Sequence, residues 1–190
     1  MPRLAVGDKL PAFTLPDHTG AKIRSASLLE GPVVIFCYPE ANTPLCTKQA
    51  CALSDAMGEL ARLGAKVVGL SPDAPEALAA FKRDQKLKLT LLSDRPGADG
   101  VPKVMAALGA WGEKINYGRR YQGVLRTTVL VDASGVVRAV WPRVRVPGHA
   151  ERVVEAVRAV LAGPSPAGSR KAGAKRPART RASAAKARRA

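Results

Sequence analysis

The chain of 190 residues predicts an α/β domain: a mixed sheet flanked by helices on both faces, opened by an N-terminal hairpin and followed by a disordered basic tail. Three observations carry the prediction. Short β-branched runs alternate with stretches of helical period. The run Val33-Val34-Ile35-Phe36-Cys37-Tyr38 is apolar almost throughout, as a central strand buried on both faces requires. Finally, all 15 acidic residues precede position 156, whereas residues 163–190 hold nine of the 31 Lys and Arg and no acid.

The elements follow in order. Phe13-Thr14-Leu15 before the turn-like Asp17-His18-Thr19-Gly20 predicts the opening hairpin. After the apolar strand, a helix is expected from Pro44 to Leu63, with Leu53, Met57 and Leu60 at three- and four-residue steps and Gly64 as its stop. Lys66–Ser71 reads as a second strand, Pro75–Lys86 as a helix with proline in its first turn, and Thr90–Leu92 as a short strand. A helical stretch near Pro102–Leu108 leads to a hairpin of Leu125–Val131 and Val136–Trp141 around Asp132-Ala133-Ser134-Gly135. An amphipathic helix over His149–Leu161 ends the folded part, giving a domain of residues 1–162 and a tail of 163–190.

The tail is Lys, Arg, Ala, Gly, Pro and Ser with one Thr; lacking Val, Ile, Leu and aromatics, it cannot offset its own ordering entropy and is expected to be disordered. It carries +9 of the formal net charge of +16. Clustered cations of this kind suit non-specific contact with DNA phosphates, and the absence of aromatics argues against base stacking. A solubilising role, an acidic membrane surface and a protein partner are the competing readings.

No run approaches 18 apolar residues, and the N-terminus lacks a charged-then-apolar export signal, so a membrane span is not expected and a cytoplasmic location is, with nucleoid association if the tail binds DNA. Three cysteines, at 37, 46 and 51, are too few and too clustered to staple a secreted scaffold. Redox or catalytic use fits them better.

The informative segment is Pro39-Glu40-Ala41-Asn42-Thr43-Pro44-Leu45-Cys46-Thr47-Lys48-Gln49-Ala50-Cys51, between the buried strand and the long helix. Thr43 is a good N-cap and Pro44 a favoured first helical residue, which makes Cys46 the third. There its sulfur faces unpaired backbone N–H groups at the positive end of the helix dipole, which favours the thiolate. Cys51, five residues on, lies about 8–9 Å away in Cα separation in an ideal helix. A disulfide spans less than about 7 Å, so a catalytic disulfide here would need local unwinding. Zinc is a poor rival at this spacing, since His18 and His149 are remote in sequence; no metal and no cofactor is expected. Cys37 reads as a small buried hydrophobe. His18 and His149 are expected to be exposed or capping, Lys82-Arg83 a solvated helix face, and Trp111 and Tyr117 packing residues.

This segment resembles the active-site motif of the peroxiredoxins, Pro-x-x-x-Thr-x-x-Cys, here Pro39, Thr43 and Cys46. Cys51 places the resemblance with the Q-type subgroup, the bacterioferritin comigratory proteins, and further matches lie at Trp111-Gly112-Glu113-Lys114, Tyr117-Gly118 and Gly123–Thr128. The resemblance covers residues 4–162 and implies a thioredoxin-like fold. It also implies thiol-dependent reduction of hydrogen peroxide and organic hydroperoxides by a monomer, with a thioredoxin-like reductant as partner. Carried over, Cys46 would be the peroxidatic thiolate and Cys51 the resolving thiol. Thr43 would hold sulfur and peroxide oxygen, Arg126 would stabilise the thiolate and the leaving oxygen, and Pro39 would shield the pocket. Leu45 stands where the subgroup commonly has glycine. The alternative function is a nucleic-acid-associating protein whose peroxiredoxin domain is a silent scaffold.

Overall fold

A computed structural model of the chain describes residues 4–116 and 118–163. Tyr117 and the tail from residue 164 onward lie outside the described residues. The elements are β1 (Thr14–Pro16), β2 (Lys22–Arg24), β3 (Val33–Cys37), α1 (Pro44–Asp55), α2 (Met57–Arg62), β4 (Lys66–Ser71), α3 (Pro75–Asp84), β5 (Thr90–Ser93), α4 (Lys103–Ala107), β6 (Trp111–Asn116), β7 (Arg119–Val124), β8 (Thr127–Val131), β9 (Val137–Trp141) and α5 (His149–Leu161). Five strands form the main sheet in the order β5-β4-β3-β8-β9. β3 pairs in parallel with β4 and antiparallel with β8, so the sheet is mixed as expected.

The period of two along β3 divides the core. Val34, Phe36 and Tyr38 face a cluster with Leu53, Leu60, Phe81 and Val157, from α1, α2, α3 and α5. Val33, Ile35 and Cys37 face the other side with Met105, Phe13 and Leu15, where α4 and the opening hairpin cover the sheet. All six of these β3-run side chains are fully buried. At Gly69 a Cβ would approach both Leu91 and Phe36 side chains to 2.8 Å, so glycine lets these two interleave across β4.

The expected long helix is two helices. The chain closes α1 at Asp55, and Ala56 (φ −73°, ψ −8°) sits between it and α2, whose last turn runs into Gly64 at φ +67°. Leu53 and Leu60 both still reach the core, so the apolar period survives the break between the helices.

A second hairpin, β6–β7, went unpredicted as strands. Its residues are mostly exposed, and cross-strand pairs take the place of core burial: Lys114 lies opposite Tyr121, 5.7 Å from its ring centroid, and Arg120 donates to Glu113 at 3.1 Å. In the β8–β9 turn, Asp132 Oδ1 accepts from Ser134 N, Ser134 Oγ and Val136 N, and Oδ2 from Arg138 Nε. Burial alone would raise this carboxyl, but these donors outweigh it and hold the group at about 2.

Two surface expectations fail. His149 is 2% exposed, packed edge-on to Trp141 with its Nε2 2.9 Å from Thr128 Oγ1, because α5 lays its first turn against β8. Lys82 is half-buried, and its Nζ donates to the Leu89 carbonyl at 2.5 Å, closing the loop after α3, while Arg83 beside it is exposed as expected. Trp111 is half-buried against the second core cluster, a packing residue as expected. Among the described residues, no helix is long and apolar enough to cross a membrane.

Candidate active site

β3 delivers the chain to the site. Tyr38 N–H still donates to Leu70 O at 3.0 Å, after which residues 39–43 leave the C-terminal end of this central strand and turn into α1. Asn42 takes a left-handed φ of +58°, a conformation asparagine tolerates better than most residues. The loop is tied down by Asp73, whose Oδ2 accepts from Ala41 N at 2.7 Å and from the Ser71 hydroxyl at the end of β4.

Thr43 has the extended backbone of an N-cap, and its carbonyl accepts the Thr47 N–H at 2.9 Å. Its side chain does not cap. The Thr43 hydroxyl donates instead to Glu40 O at 3.0 Å, across the tight loop, and makes no hydrogen bond to the helix N–H groups or to Cys46. That departs from the contact expected of it. Pro44 occupies the first helical position, and Cys46 follows in the first turn, 1% exposed.

Arg126 lies between β7 and β8. The antiparallel register sets Cys37 opposite Thr127, so the residue just before β8 emerges at the sheet end where the chain departs for α1. Its carbonyl accepts from Val144 N at 2.8 Å, fixing the backbone. From there the guanidinium makes two contacts: Nη2 donates to Cys46 Sγ at 3.3 Å and Nη1 to Gln49 Oε1 at 2.5 Å. A permanent cation thus sits beside the sulfur, presenting a planar fork of donors to it. Pro39, Leu45 and Arg126 line a cleft of about 510 Å³, which Ile115, Lys114 and Arg143 also border. A larger groove, about 640 Å³, runs between α1–α2 and α5, away from Arg126; neither cavity has a cysteine among its lining residues.

The three thiols are free and differ in surroundings. Cys37 is fully buried; desolvation, and then the charge of Asp94, push its thiol far above the ordinary range. Cys51 is half-buried against the core, and desolvation followed by Asp55 raises it as well. Cys46 alone has a cation on its sulfur. Because α1 is unbroken from Pro44 to Asp55, Cys46 and Cys51 share one intact helix.

Three neighbours escaped the sequence reading. Gln49 sits one turn past Cys46, on the same helix face, and is 1% exposed. Asp73 ends the Ser71-Pro72-Asp73 segment after β4. Tyr38, wholly buried, stacks on Phe36 with ring centroids 5.5 Å apart; burial, then Asp73 and Cys46, push its phenol up. Only the three-residue spacing of Cys46 and Gln49 was a local signal.

A thioredoxin-like sheet that sets a helix-borne thiol against a strand-end arginine defines a thiol peroxidase. Comparison with known proteins gives the family. The chain belongs to the AhpC/TSA family, whose model matches residues 6–140, and within it to the Q-type, bacterioferritin comigratory, peroxiredoxins. A protein of Mycobacterium tuberculosis named as a peroxiredoxin is 44% identical over 151 residues, covering 80% of this chain and 93% of that one. Peroxiredoxin Bcp of Escherichia coli is 38% identical over 151 residues, 80% of this chain and 94% of its own. The bacterioferritin comigratory protein of Xanthomonas campestris, solved in a study of its alkyl peroxide reduction activity, superposes with a TM-score of 0.71 at 28% identity. That alignment covers 78% of this chain and 91% of the other. The chain is thus a thiol-dependent peroxidase, and the silent-scaffold reading finds no support.

Proposed function

We propose that Cys46 is the peroxidatic residue and Cys51 the resolving one, acting on hydrogen peroxide and organic hydroperoxides. The observation that carries this is Arg126 Nη2 on Cys46 Sγ, at the N-terminal turn of α1. The Cys46 thiolate attacks one peroxide oxygen in line with the O–O bond; that bond breaks, and the leaving oxygen departs with a proton as water or alcohol. Arg126 holds thiolate and leaving oxygen as negative charge moves between them. Pro39 walls the pocket, and the Thr43 hydroxyl rotates from Glu40 O to hold the incoming peroxide oxygen. The Cys51 thiol then attacks the Cys46 sulfenic acid, expelling water and forming a disulfide, which intercepts the sulfur before further oxidation. A thioredoxin-like dithiol supplies the two electrons that reopen it. The enzyme works as a monomer in the cytoplasm, and its basic tail, residues 163–190, holds it near nucleic acid; nine cations without one acid support that last role. The deciding experiment follows hydrogen peroxide consumption with a thioredoxin system: the wild type turns over and Cys46→Ser does not. Retained turnover in that variant overturns the assignment.

A further inference from the structure

The groove between α1–α2 and α5 sets small side chains beside unneutralised acids. Ala52, Ala56 and Ala150, buried or half-buried, line its depth, and the exposed carboxylates of Asp55, Glu151 and Glu155 stand beside them. Its two arginines are committed elsewhere: Arg158 pairs with Glu59, and Arg152 donates to the carbonyls of Arg145 and Pro147, ahead of α5. Among the described residues, Asp55, Glu151 and Glu155 have no ion-pair partner, although the chain holds 31 Lys and Arg against 15 Asp and Glu. Glu151 and Glu155 are one helical turn apart, where like charges repel. The groove calls for a cation that the folded domain does not supply.

α5 forms one wall of this groove and also delivers the chain to the basic tail. At its end Gly163 takes a left-handed φ of +82°, and Pro164, which cannot continue a helix, follows. From Leu161 back to Ala150 the helix rises about 17 Å. Residues 164–170, extended, span up to about 23 Å, so a chain that doubles back along α5 brings its next cations level with the groove. Those cations are two pairs, Arg170-Lys171 and Lys175-Arg176, on either side of Ala172-Gly173-Ala174. The small residues between the pairs suit a floor of alanines, and the pairs suit the acids beside it.

We propose that residues 170–176 of the tail dock in the groove between α1–α2 and α5 of their own chain, setting their two cation pairs against Asp55, Glu151 and Glu155. Exposed ion pairs are individually weak, but a tethered segment meets its site at an effective concentration near millimolar, so a modest affinity fills the groove. The contact is electrostatic and salt releases it. Docking places the groove in competition with nucleic-acid phosphates for four of the tail's nine cations. It also reaches α1: Asp55 lies one turn past Cys51 and its charge adds to burial in raising that thiol, so a docked cation eases the thiol's ionisation.

Carbodiimide, which joins a lysine amine to a carboxylate it touches, maps the contact on the whole chain at low salt. Lys171 and Lys175 should join Asp55, Glu151 or Glu155 within single chains, and about 0.5 M NaCl should remove those products. Trypsin gives a second readout, because cleavage follows the undocked population: cuts within residues 170–176 should be roughly threefold or more slower than cuts within 179–189. The variant D55N/E151Q/E155Q, verified as folded by circular dichroism, should erase that difference. The variant E30Q/E76Q/D84N, which neutralises three exposed acids outside the groove, should keep it. Cross-links spread over carboxylates outside the groove, cross-links found only between two chains, or uniform tryptic cleavage of the wild-type tail overturn the proposal. Neither measurement contains nucleic acid, so docking in the groove and binding to DNA stand or fall separately.

Discussion

Arg126 Nη2 stands 3.3 Å from Cys46 Sγ although the two residues are 80 positions apart, and the β3–β8 register brings the arginine to the end of the sheet where α1 begins. The contact makes the arginine testable by geometry. Arg126→Ala should slow oxidation of Cys46 by about 10²–10³-fold, the scale of losing one oxyanion-type donor, and leave the count of titratable thiols unchanged. Arg126→Lys keeps the charge but lacks the fork, so it should recover only part of the rate. Stopped-flow oxidation with peroxide measures both, and an Arg126→Ala rate equal to wild type would remove Arg126 from the chemistry.

Cys46 and Cys51 share the unbroken helix α1. Joining them requires its first turns to melt, so amide exchange over residues 44–52 should be faster in oxidised than in reduced protein. Equal protection in both states, with the disulfide proven by mass spectrometry, would contradict the unwinding. In Cys51→Ser, Cys46 should pass more readily to sulfinic acid, visible as a mass increase of the Cys46 peptide.

Asp73 holds the loop that leads into α1 through Ala41 N–H, at 2.7 Å. Asp73→Ala leaves that donor and the Ser71 hydroxyl without their acceptor, which should cost about 1–3 kcal/mol in urea unfolding. Exchange should quicken first at residues 39–43. Unchanged exchange there would mean that the loop is held by its own turn.

His149 is neutral by design of its surroundings: burial first, then Arg152, depress it to about 4, against the opposing pull of Glu151. The unfolded chain binds its proton near 6.5, so the unfolded state carries more protons between those values. Stability is therefore full above about 6.5 and falls as pH drops toward 4, by up to about 3 kcal/mol. His149→Phe should flatten that decline in urea midpoints measured from pH 7 to 4; a decline as steep as wild type would assign it to other groups.

The tail predicts a salt law. If about six of its nine cations meet phosphates, the log–log slope of DNA affinity against salt should be near −5, roughly a thousandfold loss between 50 and 200 mM. A chain truncated after Ala162 should lose most of that affinity and keep its peroxidase activity. Mobility shifts at several salt concentrations test this; full binding by the truncated chain would move the contact to the folded domain, and no binding by either form would leave the tail as a solubilising appendage.

What is local in the sequence was legible. The apolar run of β3, the Thr43-Pro44 entry into α1 and the placement of Cys46 in its first turn follow from side-chain type and spacing over a few residues, because helix starts and buried strands are decided by near neighbours. The motif resemblance also named Arg126 and Cys51. Tertiary structure decided the rest. The β3–β8 register brings Arg126 to the sulfur; the end of β4 brings Asp73 beneath the loop; packing of α5 on β8 turns His149 inward; and the neutral acceptor at Gln49 acquires meaning only once a guanidinium arrives beside it. The β6–β7 hairpin escaped for a related reason: its strands are held by cross-strand pairs between exposed residues, and pairing partners, unlike apolar period, are chosen by the fold rather than by the segment itself.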